Sequence, residues 1–216
     1  MRVVIAGGHG QIALRLERLL AARGDHAVGL IRSAEQAADL RDSSAEPVVL
    51  DLENAEVDAV AEVLRGADAA VFAAGAGPGS GTARKDTVDR GAAALFADAA
   101  ERAGVRRHVQ VSAMGLDRAD DPGMDEVFAV YLKAKAAAED DLRARDLDWT
   151  ILRPGRLTDD HGTGQVHLAE SVDGGDVTRD DVAAVLVALL DESRTIHRTL
   201  ELVEGHTPID EALERI

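Results

Sequence analysis

Short runs of β-branched and other apolar residues alternate along this chain with longer segments whose apolar positions recur at helical spacing. That alternation is the signature of βαβ units built around a parallel sheet. The apolar runs predict strands over Val3–Ala6, His26–Arg32, Pro47–Asp51, Ala69–Ala73, His108–Ser112, Trp149–Leu152 and Leu200–Val203. Most of them are apolar on both faces, as strands are when helices cover a sheet from two sides. The helical spacing predicts helices over about Gln11–Arg23, Ala34–Asp42, Ala55–Arg65, Thr87–Ala103, Val127–Ala144 and Arg179–Leu190, with a last one from about Ile209 to Ile216. Asn54 is placed to cap the third helix, Gly104 follows the fourth, and Thr178 with Asp181 has the spacing of a capping box with Asp in place of Glu. The expected fold class is therefore α/β, a doubly wound parallel sheet with helices on both faces.

At the start of this pattern the first strand runs into Gly7-Gly8-His9-Gly10-Gln11-Ile12-Ala13 and then into an amphipathic helix carrying Leu14, Leu16, Leu19 and Leu20. The segment fits both G-x-x-G-x-x-A, on Gly7, Gly10 and Ala13, and G-x-G-x-x-A, on Gly8, Gly10 and Ala13. A first glycine permits the tight turn, Gly10 lets backbone approach a pyrophosphate, and a small Ala13 lets helix pack on strand. The helix N-terminus offers unpaired N–H groups and the positive end of its dipole. With a strand before it and a helix after it, the loop points to a dinucleotide cofactor held around residues 7–12. An NAD site places an acid at the end of the second strand. Here that strand ends in Arg32 and Ser33, so a charge-assisted fork to a 2′-phosphate is expected and NADP(H) is preferred over NAD(H). Asp51 and Leu52, closing the third strand, are placed beside the adenine.

Composition sharpens the chemistry. Of 24 basic residues, three are lysines (Lys85, Lys133 and Lys135), and there is a single tyrosine, Tyr131. Tyr131 and Lys135 stand four apart, on one helix face. An ammonium near a phenol stabilises the phenolate and draws its pKa down from about 10 toward working pH, as general acid–base catalysis requires. Ser112 ends the fifth predicted strand at the same sheet edge as the glycine loop, where its hydroxyl can hold a carbonyl oxygen. The glycine-rich stretch 75–81 follows the fourth strand at that edge, either as a loop that closes over a ligand or as a plain βα connection.

The remaining composition removes alternatives. The 216 residues suit one domain, 40 acids against 24 bases give a formal charge of −16 that repels polyanions, and there is no cysteine. Nucleic acid and membrane partners are not expected, and the longest wholly apolar run, Val182–Leu190, is too short for a bilayer. No metal-ligand spacing emerges from the seven histidines or from Asp117, Asp120, Asp121 and Asp125, so no metal is expected. A cytoplasmic location is expected. The last helix can pack on its own domain or on a second subunit, which leaves a homodimer open.

Together these motifs resemble the short-chain dehydrogenase/reductase superfamily, and more closely its atypical NAD(P)H-binding, NAD-dependent epimerase/dehydratase-like branch. The resemblance runs nearly end to end, through the glycine loop, Ala73-Ala74-Gly75, Val88-Asp89-Arg90-Gly91, Val111-Ser112-Ala113, Tyr131 with Lys135, Ile151-Leu152-Arg153-Pro154-Gly155 and Val177–Ala183. It implies a Rossmann-like domain over residues 1–216, with substrate-side elements mainly in 115–130 and 154–216. It further implies that Tyr131 moves the proton, that Lys135 binds the nicotinamide ribose, that Ser112 orients the carbonyl, and that Pro154 and Gly155 lie against the carboxamide, with Arg153 structural. Asp89 stands where the superfamily usually has a catalytic Asn. The expected activity is NADP(H)-dependent hydride transfer to or from a small carbonyl or alcohol substrate. A non-catalytic NADP(H)-binding redox sensor, a flavin- or quinone-type reductase and an epimerase/dehydratase are the alternatives.

Overall fold

In a computed structural model, which describes residues 1–77 and 79–216, eleven strands follow one another along the described chain. They are β1 (Arg2–Ala6), β2 (His26–Ile31), β3 (Glu46–Val49), β4 (Ala69–Phe72), β5 (Arg107–Val111), β6 (Asp148–Pro154), β7 (Arg156–Thr158), β8 (Gln165–Ala169), β9 (Asp176–Thr178), β10 (Arg198–Glu204) and β11 (Thr207–Pro208). The α-helices are α1 (Gln11–Ala22), α2 (Ala37–Asp42), α3 (Val57–Leu64), the single turn α4 (Thr82–Arg84), α5 (Ala93–Ala103), α6 (Glu126–Arg143), α7 (Arg179–Asp191) and α8 (Ile209–Glu214). Pro78 of the glycine-rich stretch lies outside the described residues.

Nine strands form one sheet in the order β11-β8-β10-β6-β5-β4-β1-β2-β3, parallel from β10 to β3 and closed at the other edge by antiparallel β8 and β11. β7 and β9 pair separately, in parallel. The expected doubly wound α/β sheet is present, and all seven predicted strands lie in it. Side chains alternate across it as the pleat requires. Val3 and Ile5 of β1 enter the layer shared with Leu16 and Leu20 of α1 and Val182, Leu186 and Leu189 of α7. Val4 and Ala6 enter the opposite layer, with Val60 and Leu64 of α3, Phe96 of α5 and Leu142 of α6.

Gly104 ends α5 in the left-handed conformation, as its position predicts. Thr178 caps α7 by accepting from the Asp181 N–H at 3.0 Å. The second half of the expected capping box is different: the buried Asp181 carboxylate accepts from Gly164 N–H at 2.8 Å and Thr163 N–H at 3.0 Å, so the box secures a loop as well as a helix. Arg15 of α1 pairs with Asp180 at 2.6 Å and ties the two helices together.

Three expectations are corrected. Asn54 does not cap α3, whose cap is Glu56; its amide instead donates to Asp51 at 2.7 Å and closes the turn after β3. The helix predicted over Thr87–Ala103 begins at Thr82 and passes through Lys85–Ala92 wound i→i+5 before α5, a winding often found at functional sites. The strands β7, β8, β9 and β11 were not anticipated; in β8 buried Val166 and Leu168 alternate with exposed Gln165 and His167, the pattern of a one-sided edge strand. The last helix, α8, packs Ala212 and Leu213 into the core of its own chain. Among the described residues no helix is long and apolar enough to cross a membrane.

Candidate active site

β1 and β4 are neighbours from which the strand order runs outward in opposite directions, and the crevice at their carboxyl ends is where open α/β sheets bind ligands. Gly7 turns the chain there with a φ of +79°, and a Cβ on it would lie 2.6 Å from the Ala74 Cα. Gly10 N–H donates to the Gly7 carbonyl at 2.8 Å and starts α1 with no side-chain cap and no acid in the first turn. The first backbone N–H groups of α1 are thus left without a side-chain cap, the arrangement that binds a pyrophosphate. Gly8 serves another purpose. Its N–H donates to Leu30 at 2.9 Å and a Cβ would meet the Gly29 Cα at 2.7 Å, so it packs the loop on β2 and faces away from the groove. Gly7 and Gly10 therefore line the groove, and Gly8 does not.

The groove has two lobes that share Gly10, Ala73, Ala74 and Gly75. The first, about 250 Å³, is lined by Gly7, His9, Arg32, Asp51 and Leu52. His9 is fixed by Asp39 at 2.6 Å and Gln36 at 3.2 Å. Arg32 is exposed and, among the described residues, has no carboxylate within ion-pair distance. Ser33 sits behind it, its hydroxyl accepting from Glu35 N–H at 3.4 Å to start a short helical turn, and it does not line the lobe. Asp51 is engaged by the Asn54 amide and by Glu53 N–H at 3.2 Å. Glu53 closes the rim by receiving Arg84 at 2.7 Å and the Thr87 hydroxyl at 2.7 Å, and the Arg84 hydrogen bond, opposed by burial, holds its carboxyl below the usual range.

The second lobe, about 400 Å³, is lined by Gln11 and Ile12 on the loop side and by Asp89, Ser112, Tyr131, Lys135, Pro154 and Gly155 opposite. All four predicted catalytic residues thus meet at one cavity. Lys135 is 4% exposed; its Nζ donates to the Val111 carbonyl at 3.2 Å and pairs with fully buried Asp89 at 3.3 Å. Burial pushes its pKa down and the Asp89 charge opposes that. Asp89 in turn accepts from Ala76 N–H at 3.3 Å and so anchors the stretch after β4. The Ser112 Oγ is buried and makes no hydrogen bond within 3.5 Å among the described residues, although it lies near enough to the buried Glu139 carboxylate to help hold that group's pKa down. A buried hydroxyl left in that state is costly unless a ligand satisfies it.

The phenol departs from expectation. Lys135 Nζ lies 5.9 Å from the Tyr131 ring centroid, yet the pKa of Tyr131 is raised, first by burial and then by the negative charge of Asp89. The ammonium that the spacing assigns to the phenol is paired with Asp89, so the local charge is balanced and desolvation wins. Tyr131 stands protonated.

Two further cations line this lobe, Lys85 and Arg179, and the sequence reading assigned neither. The scarcity of lysine that singled out Lys135 applies equally to Lys85. Arg153 is structural, donating to buried Glu139 at 2.6 and 2.9 Å. Three of the acids of residues 115–130 are engaged locally: Asp120 pairs with Lys133 at 2.7 Å, Asp121 with Arg118 at 3.1 Å, and Asp125 caps α6.

Comparison with known proteins settles the family. Residues 7–193 match the family described as NAD(P)H-binding. The chain is 38% identical over its whole length to the uncharacterized sugar epimerase YhfK of Bacillus subtilis, all of which it covers. The chain belongs to the NAD(P)H-binding family. Within the structures, a candidate NAD-dependent epimerase/dehydratase of Bacillus halodurans superposes with a TM-score of 0.92 at 35% identity, with complete coverage of both chains. The oxidoreductase YlbE of Lactococcus lactis superposes at 0.85 with 26% identity, over all of this chain and 96% of that one. This NAD(P)H-binding protein has the Rossmann-like α/β fold that its motifs implied.

Proposed function

We propose that this protein is an NADP(H)-dependent oxidoreductase that reduces a small carbonyl compound, with Tyr131 as the proton donor. One observation carries the reading: Ser112, whose buried hydroxyl makes no hydrogen bond within 3.5 Å among the described residues, lines the same lobe as protonated Tyr131, beside a glycine loop whose helix N-terminus is uncapped. The uncapped N–H groups of α1 receive the pyrophosphate, and Arg32 takes the 2′-phosphate. Asp51 and Leu52 border the adenosine, and Lys135 with Pro154 and Gly155 borders the nicotinamide ribose and carboxamide.

The bound cofactor supplies the hydride that reduces the carbonyl carbon. Ser112 donates to the carbonyl oxygen and orients it. Tyr131 gives its proton to that oxygen as negative charge develops there, and the product leaves as the alcohol. Asp89 and burial both disfavour the phenolate, so Tyr131 recovers a proton from solvent before the next cycle. Asp89 positions Lys135 rather than touching substrate.

Arg32 provides a separate test of cofactor choice. Replacing it by Ala removes a charge-assisted contact, so NADPH affinity is expected to fall about 10- to 100-fold while NADH affinity stays unchanged, as read by fluorescence titration. An equal loss for both cofactors would show that Arg32 does not read the 2′-phosphate.

A further inference from the structure

Three cations line the second lobe, and their charges are not equally available. Lys135 is paired with Asp89 at 3.3 Å and Arg179 with Asp159 at 3.0 Å. Lys85 has no carboxylate partner among the described residues, in a chain with 40 acids to 24 bases whose other lysines are both paired. Its Nζ stands 5.1 Å from the centre of the Tyr131 ring, on the lobe, and donates to the Gly77 carbonyl at 2.9 Å. An ammonium has three donors, so two remain. Lys85 and Asp89, four residues apart in the segment wound i→i+5, line the same lobe.

We infer that the substrate of this site is an anion, a carbonyl compound bearing a carboxylate near the reacting carbon, and that Lys85 holds that carboxylate. The inference rests on the carbonyl-reducing reading and names its substrate class. Among the described residues Lys85 is the one uncompensated cation of this lobe, and it selects an anion over its neutral analogue, because the neutral form leaves that ammonium without a partner. Lys85 then acts in specificity, and Tyr131 and Ser112 act on the carbonyl.

The experiment uses matched pairs of 2-oxo and 3-oxo acids and their methyl esters, phenylglyoxylate and acetoacetate among them. Binding is measured by calorimetry to the protein saturated with NADP⁺, where the oxidised cofactor prevents turnover. At least one acid is expected to bind about tenfold or more tightly than its ester. Lys85→Met removes that preference without changing ester or NADP⁺ binding, and Lys85→Arg retains it. The inference is overturned if no acid binds, if acid and ester bind alike, if Lys85→Met weakens both alike, or if it weakens NADP⁺ itself. The last two outcomes assign Lys85 to Tyr131 or to the cofactor. NADPH oxidation with the same compounds separates the two readings. Esters reduced as fast as acids would leave carbonyl reduction standing and remove the carboxylate. Acids bound through Lys85 without any NADPH oxidation would do the reverse.

Discussion

Tyr131→Phe is expected to lower carbonyl turnover about 10²- to 10⁴-fold, the range for losing a positioned general acid, while NADPH affinity is unchanged. The ring, its stacking on Phe128 with centroids 5.8 Å apart and its approach to Lys85 and Lys135 all survive the substitution, so the loss isolates the hydroxyl. The raised phenol pKa adds a second signature. Because burial and Asp89 keep Tyr131 protonated, reductive turnover should not fall from ionisation of this group between about pH 6 and about pH 9. A decline in wild-type turnover across that range that is absent from Tyr131→Phe would mean that the phenol ionises there, and that Lys135 controls it after all. Turnover unchanged in the variant would remove Tyr131 from the chemistry.

Glu17→Gln is expected to stabilise the protein, and increasingly so as pH rises. Glu17 of α1 is fully buried against Gly8 and Gly29, neither carboxylate oxygen has a hydrogen-bond partner among the described residues, and burial raises its pKa to about 8, only partly offset by Arg18. The folded state therefore holds a proton that the unfolded chain releases above about pH 4.5. Stability falls as pH rises from that value and levels off above about pH 8. Fully buried His108, whose pKa burial lowers to about 3, has the opposite slope and is silent above about pH 6.5. From pH 6.5 to 8 the wild type should thus lose about 2 kcal/mol that the variant keeps, and at pH 7 the variant should be more stable by about 3 kcal/mol. Urea unfolding of both proteins at pH 6.5, 7 and 8 measures this. Parallel stability curves would mean that Glu17 finds a partner or reaches water.

The sequence displays the parallel sheet because its strands are apolar on both faces, as Ala69–Phe72 and Val3–Ala6 are. The strands β7, β9 and β11 have three, three and two residues, too few for a periodic signal, whereas β8 has five and alternates apolar with polar positions, a pattern unlike the doubly apolar runs that mark the central strands. The glycine loop was legible as a ligand site, but the choice between its two glycine triplets depended on Gly29, a residue on another strand that leaves room for Gly8. In α1 the leucine pattern places Leu19 with Leu16 and Leu20, whereas Leu19 is exposed and Glu17 takes the buried face. That exchange is possible because Gly8 and Gly29 have no side chains where Glu17 lies. The site shows the same division. Spacing brought Tyr131 and Lys135 together along one helix. That Asp89, 46 residues before Lys135, would neutralise the lysine and leave the phenol protonated is a property of the folded charge distribution, which no local spacing carries.

The most direct test of the central reading follows the hydrogen itself. NADPH deuterated at the transferring position of nicotinamide C4 is incubated with the protein and the oxo acid and oxo ester pairs, with free flavin and a quinone as parallel acceptors. Carbonyl reduction predicts a hydroxy product carrying deuterium on the carbinol carbon, formed by wild type and lost in Tyr131→Phe. NADPH oxidised solely by flavin or quinone, or not oxidised at all, would contradict it.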